Sequence, residues 1–320
     1  MDSPIFFSVV ISLYNKREYI ERAINSVLKQ SYNNFEIIVI NDGSTDGSEE
    51  IVKSFSDSRV KLYSQVNKGV SSARNAGVKF AKADWVTFLD ADDEYMPYFL
   101  FEMSRFISLY DKSDLALIGS NYYRDNTLRL GLNLKIQDGI HDYFHFFRNQ
   151  KSPNHTSTTV VNKHKLNKIS GFPEGLKHFE DWITWIKLSL SGNFGYINKP
   201  LGIYHMVTGS ISKSNWPSDE IYNDALEFYL AITEFCNRSE ISNKKAFAAF
   251  SLLNEFILNI SIILTKKGEK PLALKLLKLY RLKYFEMKRS FPIKYLILHL
   301  LIPQKLRIKI KNLLKYRDLE

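Results

Sequence analysis

The sequence predicts an α/β fold: a mixed, mostly parallel sheet flanked by helices, followed by a C-terminal helical extension. Three observations carry that prediction. Short runs rich in Val, Ile and Phe recur at 6–13, 35–41, 60–65 and 85–90, nearly continuously apolar, as strands covered on both faces must be. Segments of helical period lie between them, and strand and helix alternating at this spacing requires parallel pairing through right-handed crossovers. From Pro217 onward only helical patterns remain, which sets the expected units at 1–215 and 216–320.

Taken in order, "FFSVVISL" (6–13) is the first strand. The residues before it begin with Asp2, carry no basic leader and lead to no small-residue cleavage pattern, so the amino terminus reads as strand and not as a signal peptide. "REYIERAINSVLKQ" (17–30) aligns Tyr19, Ile20, Ala23, Ile24, Val27 and Leu28 on one stripe, and "SEEIVKSF" and "VSSARNAGVKFA" fill the next two gaps as helices. A helix over 97–110, a strand over 114–123, an antiparallel excursion at 127–137 and a helix over 138–149 follow, then a loop over 150–158. "FEDWITWIKLSLSG" (179–192) reads as a helix stopped by Gly192, and 193–205 returns as strands. The apolar stretch Phe247 to Leu264 is interrupted by Asn254, Glu255 and Asn259, so the expectation is a buried helix and not a membrane span.

Composition narrows the function. With 45% hydrophobic residues in 320, the chain can bury a large core, and its one cysteine, Cys236, excludes an internal disulfide framework. The net charge of +10 is uneven: residues 266–320 hold sixteen Lys or Arg against four acids, which leaves the first 265 residues slightly acidic. A nucleic-acid enzyme would spread its basic residues around a cleft; a basic tail points to a separate electrostatic contact, and no nucleic-acid partner is expected.

In parallel sheets ligands bind beyond the carboxyl ends of the strands, and there this chain places "SLYN" (12–15), "NDGSTDGS" (41–48) and "DADD" (90–93). The second is no calcium loop, because Lys53 stands where the bidentate Glu is needed. A turn and helix cap account for Gly43, Ser44 and Asp46, but not for Asp42 at a strand end. No G-x-G-x-x-G follows the first strand and no Walker loop is present, which also disfavours a nucleotidyltransferase. "DADD" is either a solvated loop of acids or a hard-oxygen site. Asp90 and Asp92, two apart, suit Mg2+ or Mn2+ held by one or two carboxylates and completed by phosphate and water.

These segments, with "NKGVSSARNAGVKFAKADWVTFLDADD" and "FEDWITWI", resemble the inverting family 2 glycosyltransferases of the GT-A fold over roughly residues 6–212. The resemblance implies transfer of a sugar from a nucleotide diphosphate donor, expected to be a UDP-sugar, to a saccharide or lipid-linked saccharide acceptor in surface polysaccharide synthesis. It implies that Tyr14 packs on the base with Ser12 beside it, that Asp42 reads the base, that Arg74 and Asn75 contact the nucleotide, that Asp90 meets ribose or metal, and that Asp92 is the principal metal ligand of a DXD motif. At "HFEDW" it implies Asp181 as general base and Glu180 and Trp182 on the acceptor. Helix capping is the plain alternative for both acids. His205, in "YHMVTGSIS", would ligate the metal or touch the diphosphate, with 206–214 as a lid. A catalytically inactive nucleotide-sugar-binding or scaffold protein of the same fold is the alternative.

The segment 291–317 places an apolar run before a basic stretch. It reads either as a helical subdomain with a solvated basic face or as a surface helix on an anionic membrane, which would make the protein cytoplasmic and peripheral on the inner membrane face.

Overall fold

The structure is a computed structural model that describes residues 4–110, 112–124, 129–130, 136–150, 154–207 and 216–286. Most of the expected antiparallel excursion, the expected lid and the basic segment 291–317 lie outside the described residues. The described residues form two compact units, one of 4–207 with 231–249 and the other of 216–230 with 250–286.

The first unit begins with β1 (Phe7–Leu13), α1 (Ile20–Leu28), β2 (Phe35–Asn41), α2 (Ser48–Lys53), β3 (Val60–Ser64), α3 (Val70–Phe80) and β4 (Trp85–Asp90), as the alternating periods predict. β1, β2 and β4 are buried almost throughout, which is why their sequences are apolar on both faces. Ile20, Ala23, Ile24 and Val27 of α1 bury the predicted stripe. β1 pairs in parallel with β2 and β4, and β2 with β3. Gly77 of α3 lets that helix lie close on β1, where a Cβ would stand 2.3 Å from Val10 Cγ1.

Beyond β4 come β5 (Glu94–Tyr95), α4 (Phe99–Leu109), β6 (Leu115–Arg124), β7 (Arg129–Leu130), β8 (Gly139–His141), α5 (Tyr143–Gln150), a 3-10 turn at Thr156–Thr158, β9 (Thr159–Asn162), α6 (Lys163–Lys168), α7 (Glu180–Ser191) and β10 (Asn193–Tyr204). The sheet runs β3-β2-β1-β4-β9-β6-β10-β5, with β7 on β6 and β8 on β10. β9 is antiparallel to both β4 and β6, so the parallel half of the sheet turns mixed there.

Two expectations need correction. The helix expected from 138 starts only at Tyr143, because Asp142 Oδ1 accepts from the Phe144 and His145 amides at 2.9 and 3.1 Å and so caps it, while 139–141 pairs with β10. The strands expected over 193–205 are one strand, irregular around Pro200, whose missing N–H interrupts the ladder.

α8 (Ser218–Cys236), α9 (Asn243–Lys266) and α10 (Lys270–Glu286) follow. In the second unit, Leu252, Leu253, Phe256, Ile257, Ile260 and Leu264 of α9 are buried at helical spacing, and Phe256 stacks on Phe228 at 4.1 Å. By length and composition α9 is also the one helix among the described residues able to cross a membrane.

Candidate active site

Strand register assembles the site. Ser12 stands opposite Asp90, and Leu13 opposite Asn41, so Tyr14, Asp42 and Asp90 emerge side by side at the carboxyl edge. Tyr14 is half exposed, an open aromatic face beside buried polar groups. The loop carrying it is locked to the next one: Asn15, with φ 51°, receives the Thr45 amide on its side-chain oxygen at 2.8 Å, and the Arg17 amide reaches Asp46 Oδ2 at 2.9 Å.

Asp42 is buried and its carboxylate is already engaged. It accepts from Gln65 Nε2 and the Lys68 amide on one oxygen, and from the Gly69 amide on the other, at 2.8, 2.9 and 2.8 Å. It therefore shapes the loop that launches α3.

Arg74, buried in α3, joins the two sides of the site. Its Nη2 donates to Asp90 Oδ1 at 3.0 Å and its Nη1 to Glu180 Oε1 at 3.1 Å, while Phe172 lies under the guanidinium at 5.3 Å. Burial works against the Asp90 carboxylate, but Arg74 foremost, then His155 and Lys16, holds its pKa below the ordinary value. The neighbouring Asn75 turns elsewhere. Its amide donates to the Phe172 carbonyl and accepts from the Phe172 amide, both at 2.8 Å, so it latches the 171–174 loop and does not join the acids.

The "DADD" acids separate in space. Asp92 Oδ2 meets Lys16 Nζ at 2.6 Å, and its carbonyl takes Arg22 Nη2 at 2.6 Å. Asp93 is fully buried; it accepts from Ser157 Oγ at 2.5 Å and the His205 amide at 3.1 Å. Burial first, then Asp90 and Asp92, pushes its pKa well above the usual carboxylate value. His205 Nε2 lies 2.7 Å from Glu94 Oε1, which also meets Arg22 Nε at 3.2 Å. Among the described residues no three His, Cys, Asp or Glu side chains form a preformed metal cage. Asp90 and Asp92 supply hard oxygens of the kind a divalent ion takes, each now paired with a cation, Arg74 and Lys16 respectively, while His205 is paired with Glu94.

On the other side, α7 starts from Phe179, held at φ 67°, a strained conformation for a bulky residue of the kind found at functional sites. Asp181 Oδ1 accepts from the Trp182 amide at 2.7 Å, and Thr156 Oγ1 lies 3.5 Å from its Oδ2. Burial first, then the adjacent Glu180, pushes the Asp181 carboxyl up to about 7, although Arg74 pulls the other way. Trp182 is half-buried, with its ring edge-on to Phe147 at 5.0 Å. Trp185 is fully buried against Phe88 and Phe172 and belongs to the core.

Sequence reasoning missed the 154–158 segment and Lys16. His155 packs against Tyr122 and Tyr204 at 5.1 and 4.7 Å, Thr156 faces Asp181, and Ser157 donates to Asp93 and receives the Asp90 amide. Burial lowers the His155 pKa, with Asp90 opposing it. Their only sequence signal is a polar run preceding the short apolar β9.

Residues 8–172 match the family model for glycosyl transferase family 2. The glycosyltransferase GlyA of Streptococcus pneumoniae is 30% identical over 220 residues, which are 64% of this chain and 31% of that protein. In the first relatives of this kind the match spans about a third of their length. An Escherichia coli protein named UDP-Glc:alpha-D-GlcNAc-diphosphoundecaprenol beta-1,3-glucosyltransferase WfgD is 33% identical over 192 residues, 60% of this chain and 72% of that one. In structure, S. aureus TarS, crystallised in complex with UDP-GlcNAc, superposes with a TM-score of 0.62 at 19% identity, covering 87% of this chain and 92% of the other, a likeness of fold.

Proposed function

Because this chain belongs to glycosyl transferase family 2, we propose that it is an inverting glycosyltransferase moving a sugar from a nucleotide diphosphate donor to a saccharide or lipid-linked saccharide acceptor. The donor in this reading is a UDP-sugar, the acceptor a growing surface polysaccharide. The observation that carries it is the Asp181 carboxyl, pushed up to about 7 at the start of α7, beside Glu180, which Arg74 bridges to Asp90 at the end of β4. A carboxylate of that basicity takes protons well at neutral pH.

In the mechanism, the nucleobase packs on the open face of Tyr14, next to Ser12, in a pocket whose far wall Asp42 builds by fixing the 65–69 loop. Asp90 and Asp92 would hold Mn2+ or Mg2+. Bound there, the ion would offset the charge growing on the departing diphosphate. Glu180, held by Arg74, orients the acceptor hydroxyl, and Trp182 offers it an apolar flank. Asp181 removes the hydroxyl proton as the oxygen attacks the anomeric carbon from the face opposite the leaving group, which inverts that centre. Thr156 steadies the carboxylate.

A panel of nucleotide sugars tests the reading by thermal stabilisation and Mn2+-dependent hydrolysis. A UDP-sugar is expected to raise the melting temperature and to be hydrolysed slowly without acceptor. Stabilisation by none of the UDP-sugars would overturn the donor assignment.

A further inference from the structure

One cation at the site has no place in that scheme. Lys16, in the loop between β1 and α1, is the only ion-pair partner of the Asp92 carboxylate among the described residues, at 2.6 Å. The other cations nearby are occupied: Arg22 holds the Asp92 carbonyl and Glu94, and Arg74 spans Asp90 and Glu180. The Lys16 backbone is anchored, because its carbonyl accepts from the Tyr19 and Ile20 amides at 3.0 Å each. Its head group is not confined in the same way. The Lys16 and Asp92 side chains are 27% and 17% exposed, and the Tyr19 ring lies 5.8 Å from Nζ.

From this geometry we infer that Lys16 is a resident counter-ion for Asp92 that a divalent metal must displace, and that the displaced ammonium binds the donor diphosphate. The inference rests on the proposed reading of Asp92 as a metal ligand and extends it to a residue outside the expected set. A partly exposed lysine–carboxylate pair is weak enough to exchange, and a doubly charged ion on a hard oxygen outcompetes it. Once the ion is present, the ammonium is repelled from Asp92 and needs another anion within reach of its four-carbon stem. A diphosphate completing the metal's coordination is that anion, and a lysine head group suits it as a point charge. Metal and nucleotide then favour each other reciprocally, since each relieves the charge the other leaves.

The test measures Mn2+ binding to the full chain by electron paramagnetic resonance without nucleotide, then UDP binding with and without Mn2+. Wild type, Lys16→Met, Lys16→Arg and Asp92→Asn are compared after their melting curves establish that each is folded. Lys16→Met is expected to bind Mn2+ alone at least five-fold more tightly than wild type, yet to bind UDP in the presence of Mn2+ at least five-fold more weakly. Lys16→Arg should stay near wild type in both. Mn2+ affinity that is unchanged or weaker in Lys16→Met, while Asp92→Asn loses the ion, overturns the role of Lys16 and leaves the metal reading standing. If Asp92→Asn binds Mn2+ as wild type does, or if no form binds it even with UDP, the metal reading fails and this inference with it.

Discussion

Asp181 is the carboxyl whose surroundings shift it furthest towards neutral pH among those proposed for the reaction, and that shift works against the fold. Its pKa of about 7 stands above the usual aspartate value of about 4 because burial and Glu180 penalise the charge more than Arg74 relieves it. The sign of the linkage follows. A carboxyl whose folded pKa is raised adds stability at low pH, where it is protonated, and loses that contribution as pH rises from about 4 through about 7. Transfer needs the ionised form, so the rate should climb with pH to a plateau above about 7. Asp181→Asn is expected to lower transfer by about a hundred- to ten-thousand-fold while keeping UDP affinity. The same variant should melt about 2–4 °C higher at pH 8, since an unfavourable charge is gone. A melting temperature that falls at pH 8 would contradict the electrostatic account, and retained transfer would remove Asp181 from the reaction.

At the scale of elements, two contacts fix the helices that carry the site. α3 approaches β1 only because residue 77 is glycine, so Gly77→Ala should destabilise by about 1–3 kcal/mol in urea unfolding. Adding Val10→Ala should recover part of that loss, which a merely helical effect would not allow. At the other end of α7 from Asp181, Lys245 Nζ donates to the carbonyls of Ser189, Leu190 and Gly192 at 3.1, 3.3 and 3.1 Å, and Lys165 reaches Ser191 at 3.2 Å. Positive charge at a helix carboxyl end is favourable, and Lys245→Met should lower stability by about 1–2 kcal/mol with the pH–rate limb near 7 preserved. The parallel half of the sheet was legible in the sequence because buried strands leave long apolar runs. β9 was not: "TVVN" is four residues long, and its antiparallel pairing with β4 and β6 is decided by tertiary contacts that no local period reports. The same holds for the site. Acids at a strand end or a helix start stand out, as Asp90, Asp92, Asp93 and Asp181 do, whereas Lys16, Thr156 and Ser157 are ordinary loop residues until folding sets them against those acids.

For the molecule as a whole, charge distribution is the remaining lever. In the proposed reading the sixteen basic residues of 266–320 would draw the chain to an anionic surface, where each Lys or Arg adds on the order of 1 kcal/mol. Deleting 286–320 is expected to abolish flotation with anionic vesicles and to spare nucleotide binding; unchanged flotation would assign membrane contact elsewhere. α9 is apolar enough by composition to cross a membrane, but its residues Leu252, Leu253, Phe256, Ile257, Ile260 and Leu264 are buried in the second unit and need no bilayer to leave water. The bridge that Arg74 makes from Asp90 to Glu180 has a kinetic consequence. A guanidinium shared by two carboxylates cannot serve both equally once one of them acquires another cation. In the proposed reading, a divalent ion arriving on Asp90 with the donor would free Arg74 towards Glu180, and product-inhibition kinetics are then expected to show donor binding before acceptor.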